Sequence, residues 1–156
     1  MAEFRDRTGD VDDINRRTSG SDTRAATILD SHIGILGKKA FAHLASLGPG
    51  GAPQSHPVWF DFDPVSGRLL ISTGTDRQKY RNIRRDPRVS VSILDPDDPY
   101  RYLEIRGHVV MIEPDPGKAF LDRLARKYLD LDTYPYEQRR NVERVIVHIR
   151  PDHIIA

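Results

Sequence analysis

Residues 54–63 read QSHPVWFDFD, and this short stretch predicts both the type of fold and a place where the sheet is interrupted. Apolar side chains recur at every second position, which is the period of a β-strand with one buried face. Pro57 interrupts the strand, because proline has no backbone N–H to donate to a neighbour. The strand should therefore lie at a sheet edge, at a bulge or at a bend, with backbone left free for a ligand. The residues predicted to share one face are His56, Val58, Phe60 and Phe62.

The same two-residue period recurs on both sides of this stretch and predicts a mainly β (α+β) fold. Turn sequences, GPGGAP before it and DPVSG after it, separate it from its neighbours. An antiparallel sheet this small is expected to close wholly or partly into a barrel, because closure removes exposed edges. The six predicted strands cover residues 39–47, 54–63, 68–73, 88–94, 100–112 and 142–155. In the fifth, one face is predicted to carry Leu103, Ile105, Gly107, Val109 and Met111.

Three segments have helical spacing and should flank the sheet. Residues 27–36 form a weak helical pattern, and residues 74–87 a short helix with Thr75 or Asp76 as its cap. The clearest helix begins at Asp115, whose side chain can cap free amides. Its apolar stripe is Phe120, Leu121, Leu124, Ala125 and Tyr128.

Length and composition limit the classes of protein to consider. A chain of 156 residues supports one core, predicted over residues 27–156, preceded by a polar tail, residues 1–26, predicted to be disordered. With 24 basic and 23 acidic residues, the net charge of +1 indicates neither a nucleic-acid partner nor an acidic scaffold. The absence of cysteine excludes disulfides, thiolate metal sites and cysteine nucleophiles. No apolar run could span a membrane, so a cytoplasmic protein is expected.

The strongest local charge lies in residues 72–88, STGTDRQKYRNIRRDPR, where six basic residues face two acidic ones. On a helix Arg77, Arg81 and Arg85 would form a row of like charge, which an anionic partner would stabilise. Hydroxyls and a glycine come just before the helix, and a helix N-terminus attracts anions. These features predict a phosphate site. The alternatives are a solvated helix paired with acids elsewhere, which a basic run alone favours, and a less favoured nucleic-acid patch.

Histidines and aromatic residues give weaker signals. The six histidines are not spaced like metal ligands, so no metal site is predicted. Trp59, Tyr100 and Tyr102 suit core or interface packing better than stacking on a ligand ring. No serine elbow, Walker loop or dinucleotide fingerprint is present, and no catalytic side chain is identified.

Taken in order, PQSHPVWF, a strand ending in ST, RQKYRNIRRDPRVSVS, DPDDPYRYLEIRG, AFLDRLARKYL and RVIVHIRP resemble one known family. The chain resembles the pyridoxamine-phosphate-oxidase-like split β-barrels over residues 39–155, in particular their coenzyme F420-dependent branch. The resemblance implies a six-stranded split barrel with flanking helices, and a homodimer with two cofactor sites at its interface.

The resemblance also implies which residues contact the cofactor. Arg77 and Lys79 match residues that hold its phosphate, beside Ser72, Thr73 and Asn82. Tyr100 and Arg101 match the segment that reaches in from the partner subunit. The strand that runs along the cofactor ring is matched by Ser55, His56, Pro57, Val58 and Trp59.

The function implied is transfer of a hydride between a deazaflavin and a small unsaturated substrate, without a catalytic acid or base. An FMN-dependent oxidoreductase is the alternative, because the phosphate of FMN suits the same cations. A cofactor-binding protein without turnover is the third candidate.

Overall fold

The computed structural model describes residues 26–136 and 141–156, so nearly all of the predicted tail lies outside the described residues. Within these two ranges the chain forms three helices and seven strands. The helices are α1 (Asp30–Leu36), α2 (Gln78–Arg85) and α3 (Ala119–Leu129). The strands are β1 (Ala42–Leu47), β2 (Pro53–Val58), β3 (Asp61–Asp63), β4 (Arg68–Gly74), β5 (Arg88–Leu94), β6 (Tyr102–Pro114) and β7 (Arg144–Ile155).

All seven strands belong to one antiparallel sheet with the order β2-β1-β5-β6-β7-β4-β3. The two edge strands, β2 and β3, are joined only by Trp59 and Phe60. In a flat sheet those edges would lie about 29 Å apart, at about 4.8 Å per strand. The link between them can span at most about 11 Å. The sheet must therefore curl on itself, and the split-barrel class is confirmed.

The strand count differs from the prediction, which was six. Residues 54–63 were predicted as one strand, but the chain leaves β1 after Val58 and pairs with β4 from Asp61 onwards. The alternation continues through this change of partner: Val58 and Phe60 are buried, and Phe62 packs on the core. Side-chain spacing is the same on both sides of the corner, so it could not show where one strand ends. The expectation that the Pro57 strand lies at an edge is confirmed.

A β-bulge changes which face of β6 is buried. The pairing of β6 with β7 shifts at Arg106/Gly107, where the extra residue is in β7, and at Val109/Met111, where it is in β6. After the second shift Ile112 is buried and Met111 is not, so the predicted face is wrong at Met111. The extra residue in β6 breaks its two-residue period. At Gly107 a Cβ atom would lie 2.1 Å from the Arg150 carbonyl oxygen, so a larger residue does not fit.

The starts of α2 and α3 also differ from the prediction. The N-cap of α2 is Arg77, with no side-chain cap, instead of Thr75 or Asp76. Helix α3 begins at Ala119. Asp115 still accepts hydrogen bonds from the backbone amides of Phe120 and Leu121, in the first turn of that helix, at 3.5 and 3.3 Å. The apolar side of α3 packs against the outer face of β4 and β7, while α1 and α2 extend the core inside the barrel.

Candidate functional site

A cleft of about 630 Å³ lies where the barrel is split. Strand β3 pairs only with residues 68–70 of β4, so the end of β4 has an unpaired side, and β2 has an open edge. Both edges line the cleft, β2 through His56 and Pro57 and β4 through Ser72 and Gly74. Unpaired strand edges offer backbone hydrogen-bond groups to a ligand, and this volume is typical of small-molecule sites.

Three cations among the described residues line the cleft. Arg77 and Lys79, at the start of α2, and Arg144, at the start of β7, all line it. The Arg144 guanidinium donates to Ser72 Oγ through Nε at 3.2 Å and Nη2 at 2.8 Å. Burial lowers the pKa of Arg144 from its ordinary value, and the nearby charge of Arg77 adds to this effect, while Tyr134 and two nearby carboxylates act in the opposite direction. A bound anion would stabilise these charges.

The predicted row of arginines does not point into the cleft as a unit. Arg81 donates to the backbone oxygen of Asp76 at 2.9 Å, and Arg85 donates to that of Leu47 at 2.9 Å. These two arginines therefore hold α2 against the adjoining loops, and of the row only Arg77 lines the cleft. The prediction that the three arginines form one row for an anionic partner is therefore wrong. Backbone carbonyls compete for guanidinium groups, and sequence spacing does not reveal them.

Aromatic and apolar side chains also line the cleft. Trp59 stacks on Tyr128, with ring centroids 4.9 Å apart and planes 2° apart, and Tyr134 meets Trp59 edge-on at 5.9 Å. The Tyr128 hydroxyl donates to the Ala40 carbonyl at 2.6 Å and accepts from the Phe60 amide at 3.2 Å. Burial raises the pKa of Tyr128 to about 12, so it stays protonated at neutral pH. Packing thus fixes the Trp59 ring, as the sequence favoured.

The structure brings most of the predicted cofactor residues together. Those that line the cleft are His56, Pro57, Val58, Trp59, Ser72, Thr73, Arg77 and Lys79. Ser55, Asn82, Tyr100 and Arg101 are not among the lining residues. Asn82 is buried, and its amide group donates to Ser46 and Gln54 and accepts from Gln78. Its contacts hold α2 to the barrel, and cofactor contact by any of the twelve stays a prediction.

A buried carboxylate holds the turn that carries Tyr100 and Arg101. Asp95 accepts a hydrogen bond from Lys38 Nζ at 2.6 Å, and Arg101 Nη1 lies 3.4 Å from its other oxygen. The hydrogen bond from Lys38 holds the pKa of Asp95 below its usual range. Arg101 also donates to the Ser31 carbonyl, while Tyr100 is 91% exposed. The turn is therefore anchored on α1 with an aromatic side chain directed outwards.

Several cleft residues were missed by the sequence analysis. Arg144, Phe41, Tyr134 and Tyr136 line the cleft, and no motif in the sequence singles them out. Leu121 and Leu124 also line it, although the helical stripe predicted them only as core residues. Strand register explains why Arg144 lines the cleft. Gly74 of β4 pairs with Arg144 of β7, which brings the Arg144 side chain beside Ser72.

The described ranges contain neither a cluster of metal-binding side chains nor a membrane-spanning helix. In residues 26–136 and 141–156 no three His, Asp or Glu side chains are grouped as a metal ion would require. The helices in those ranges are too short or too polar to cross a membrane.

Together, the curled sheet and the cleft between its open edges define a split-barrel protein with a cavity lined by cations and by aromatic and apolar side chains. Residues 31–156 match the family model described as pyridoxamine 5′-phosphate oxidase. The chain belongs to the pyridoxamine 5′-phosphate oxidase family, as the resemblance indicated.

Solved structures agree with this assignment. The chain is 39% identical to an F420 reductase, with a TM-score of 0.74, over 82% of this chain and 98% of that one. It is 26% identical to a conserved hypothetical protein from Mycobacterium tuberculosis, with a TM-score of 0.62, over 86% and 88% of the two chains. General Stress Protein 26 from Bacillus anthracis, at 19% identity and a TM-score of 0.58 over 80% and 89%, shares the fold. The family and the reductase support an oxidoreductase function.

Proposed function

We propose that this chain is a reductase that binds the deazaflavin coenzyme F420 in the cleft and reduces a small unsaturated organic substrate. The proposal depends on one observation, that a single cleft is lined both by cations and by aromatic and apolar side chains. A cofactor with a planar ring and a phosphate-bearing tail has the same two kinds of surface. The 39% identity to an F420 reductase favours the deazaflavin. A reduced deazaflavin supplies a hydride when it is bound.

The residues of this chain would bind and orient the reactants. Arg77 and Lys79 would hold the phosphate through charge-assisted hydrogen bonds. The open edge of β2 would lie along the ring, and Trp59, fixed by Tyr128, would help to keep water away from it. The His56 imidazole, which has no hydrogen bond within the described residues, would be available to a substrate polar group.

A homodimer is the second part of the proposal. In the described part of the chain, helix α3 covers β4 and β7, while exposed side chains lie where β1, β5 and β6 meet: Phe41 just before β1, Leu94 at the end of β5 and Tyr102 at the start of β6. Exposed apolar groups that lie close together on a sheet favour an interface. A second copy there would cover them and bring its Tyr100 and Arg101 towards the cleft. Sedimentation of a monomer at micromolar concentration would contradict this part.

Titration with F420 and with FMN tests the cofactor assignment. We expect protein purified without added cofactor to quench the fluorescence of F420, with tighter binding than for FMN, and the bound reduced cofactor to be oxidised by unsaturated substrates. Yellow protein with preferential FMN binding would favour the alternative oxidoreductase. Tight F420 binding without turnover on a panel of substrates would favour the binding protein. Binding of neither cofactor would refute the proposed function.

A further inference from the structure

Arg144 is the cleft cation that lies farthest in sequence from the basic stretch. Its guanidinium meets Ser72 Oγ across 72 positions of sequence, because β7 pairs with β4. Ser72 and Arg144 are both partly buried, and both line the cleft. The hydrogen bonds from Nε and Nη2 to one oxygen give the guanidinium a fixed orientation.

The guanidinium retains unused donors. Of its five N–H groups, Ser72 accepts two, which leaves three on the two terminal nitrogens. No carboxylate of residues 26–136 or 141–156 forms an ion pair with Arg144. The nearby Asp115 carboxylate instead accepts from the amides of Phe120 and Leu121. Within the described residues the Ser72 hydroxyl is the side-chain hydrogen-bond partner of Arg144, and Asp76 and Asp115 act on its charge without forming an ion pair, so a bound anion would add a direct counter-charge.

One neighbouring charge opposes that of Arg144. Arg77 lines the same cleft, and its positive charge acts unfavourably on Arg144. Asp76 favours the charge of Arg144 and lies 3.7 Å from Arg77, but it is half exposed, which weakens its effect. An oxyanion bound between the two arginines would compensate both charges, and the free edge of a guanidinium matches two phosphate oxygens.

We propose that Arg144, held in position by Ser72, is a phosphate-binding residue of the cleft that acts together with Arg77 and Lys79. This inference rests on the proposed function, in which the cleft binds a cofactor with an anionic tail. Arg144 contacts the phosphate directly, and Ser72 is a positioning residue. The last strand of the barrel thereby contributes to a site that otherwise belongs to β4 and α2.

The test compares ligands that share a ring and differ in the phosphate. Arg144→Leu, Arg144→Lys and the wild type are titrated with F420, FMN and their phosphate-free forms, the deazaflavin chromophore and riboflavin. We expect Arg144→Leu to bind the phosphate-bearing forms about 10- to 100-fold more weakly and the phosphate-free forms within about two-fold of the wild type. Arg144→Lys keeps the positive charge but loses the paired N–H donors of the guanidinium. Its affinity for the phosphate-bearing forms should lie between those of the wild type and Arg144→Leu. Equal losses for both kinds of ligand, or no loss, would overturn the proposal.

Ser72→Ala separates positioning from direct contact. If Ser72 acts through Arg144, the double variant binds as weakly as Arg144→Leu alone, within about two-fold, because the two effects are not additive. Fully additive losses would overturn the positioning role. Arg126→Leu is the matched control: this exposed arginine on α3 does not line the cleft, and its loss should leave every affinity unchanged.

A second measurement does not depend on the cofactor. Pyrophosphate should raise the Tm of the wild type and of Arg126→Leu, and this rise should disappear in Arg144→Leu. If the wild type binds neither cofactor but responds to pyrophosphate through Arg144, the proposed function fails and the anion site stands. A wild type without a response to pyrophosphate, or an undiminished response in Arg144→Leu, would overturn the anion site.

Discussion

Tyr128→Phe removes one hydroxyl from beneath the cleft and leaves the ring that supports Trp59. The hydroxyl joins the Ala40 carbonyl and the Phe60 amide, at 2.6 and 3.2 Å, across the corner between the two edge strands. Without it both backbone groups lose this partner in a partly buried site. An unsatisfied group of this kind costs about 1–3 kcal/mol, and partial access of water reduces the sum of the two to about 2 kcal/mol. That loss corresponds to a decrease in Tm of about 4–8 °C.

The same variant has a distinctive pH dependence. The folded-state pKa of Tyr128 is raised from 10.0 to about 12, so its stabilising contribution is complete below pH 10 and is lost as the pH rises towards 12. Phenylalanine has no such ionisation. The difference in unfolding free energy between wild type and variant should therefore shrink by about 1 kcal/mol from pH 8 to pH 11, after allowance for solvent screening.

Urea unfolding at both pH values, at equal protein concentration, measures the two effects. Tyr136→Phe is the control: Tyr136 is 58% exposed, and its change should stay within about 0.5 kcal/mol. A loss below about 0.5 kcal/mol for Tyr128→Phe at pH 8 would refute the importance of the hydroxyl. A difference that is the same at pH 8 and pH 11 would refute the assignment of the raised pKa to Tyr128.

Three further predictions concern other parts of the molecule. Gly107→Ala should destabilise the protein by about 2–3 kcal/mol in urea unfolding, since its Cβ would lie 2.1 Å from a β7 carbonyl oxygen. Gly34 lies in α1, and a Cβ atom added there would have no other atom within 4 Å, so Gly34→Ala should stabilise the protein by about 0.5–1 kcal/mol. Stability changes of the same sign in the two glycine variants would contradict this reasoning. Lys79→Ala should weaken F420 binding about 10-fold with little change in Tm, whereas unchanged affinity would remove Lys79 from the site. Asp95→Asn should lower the Tm at pH 7 and reduce the loss of Tm in acid. The ionised Asp95, whose pKa is lowered, stabilises the fold above pH 3.8, and this contribution is lost as the pH falls. A variant whose Tm depends on acid pH as the wild type's does would contradict this prediction.

Local patterns in the sequence predicted most of the sheet. Alternation placed Val58 and Phe60 on a buried face, and the missing N–H of Pro57 indicated an edge strand. Both inferences involve neighbours in sequence, and the pleat of a strand applies to each segment separately. The bulges between β6 and β7 and the change of partner after Val58 depend on the curl of the sheet, which no single segment contains.

For the site, the sequence by itself determined the local excess of positive charge that includes Arg77 and Lys79, because it is visible in one short stretch, and phosphate binding there stays a prediction. Tertiary structure alone decided that Arg144 joins them, that Arg81 and Arg85 turn away to backbone carbonyls, and that Trp59 is fixed by Tyr128. The physical reason is the same in each case. Antiparallel pairing and helix packing bring together side chains that lie far apart in the chain, and the register of that pairing follows from how the whole core is filled.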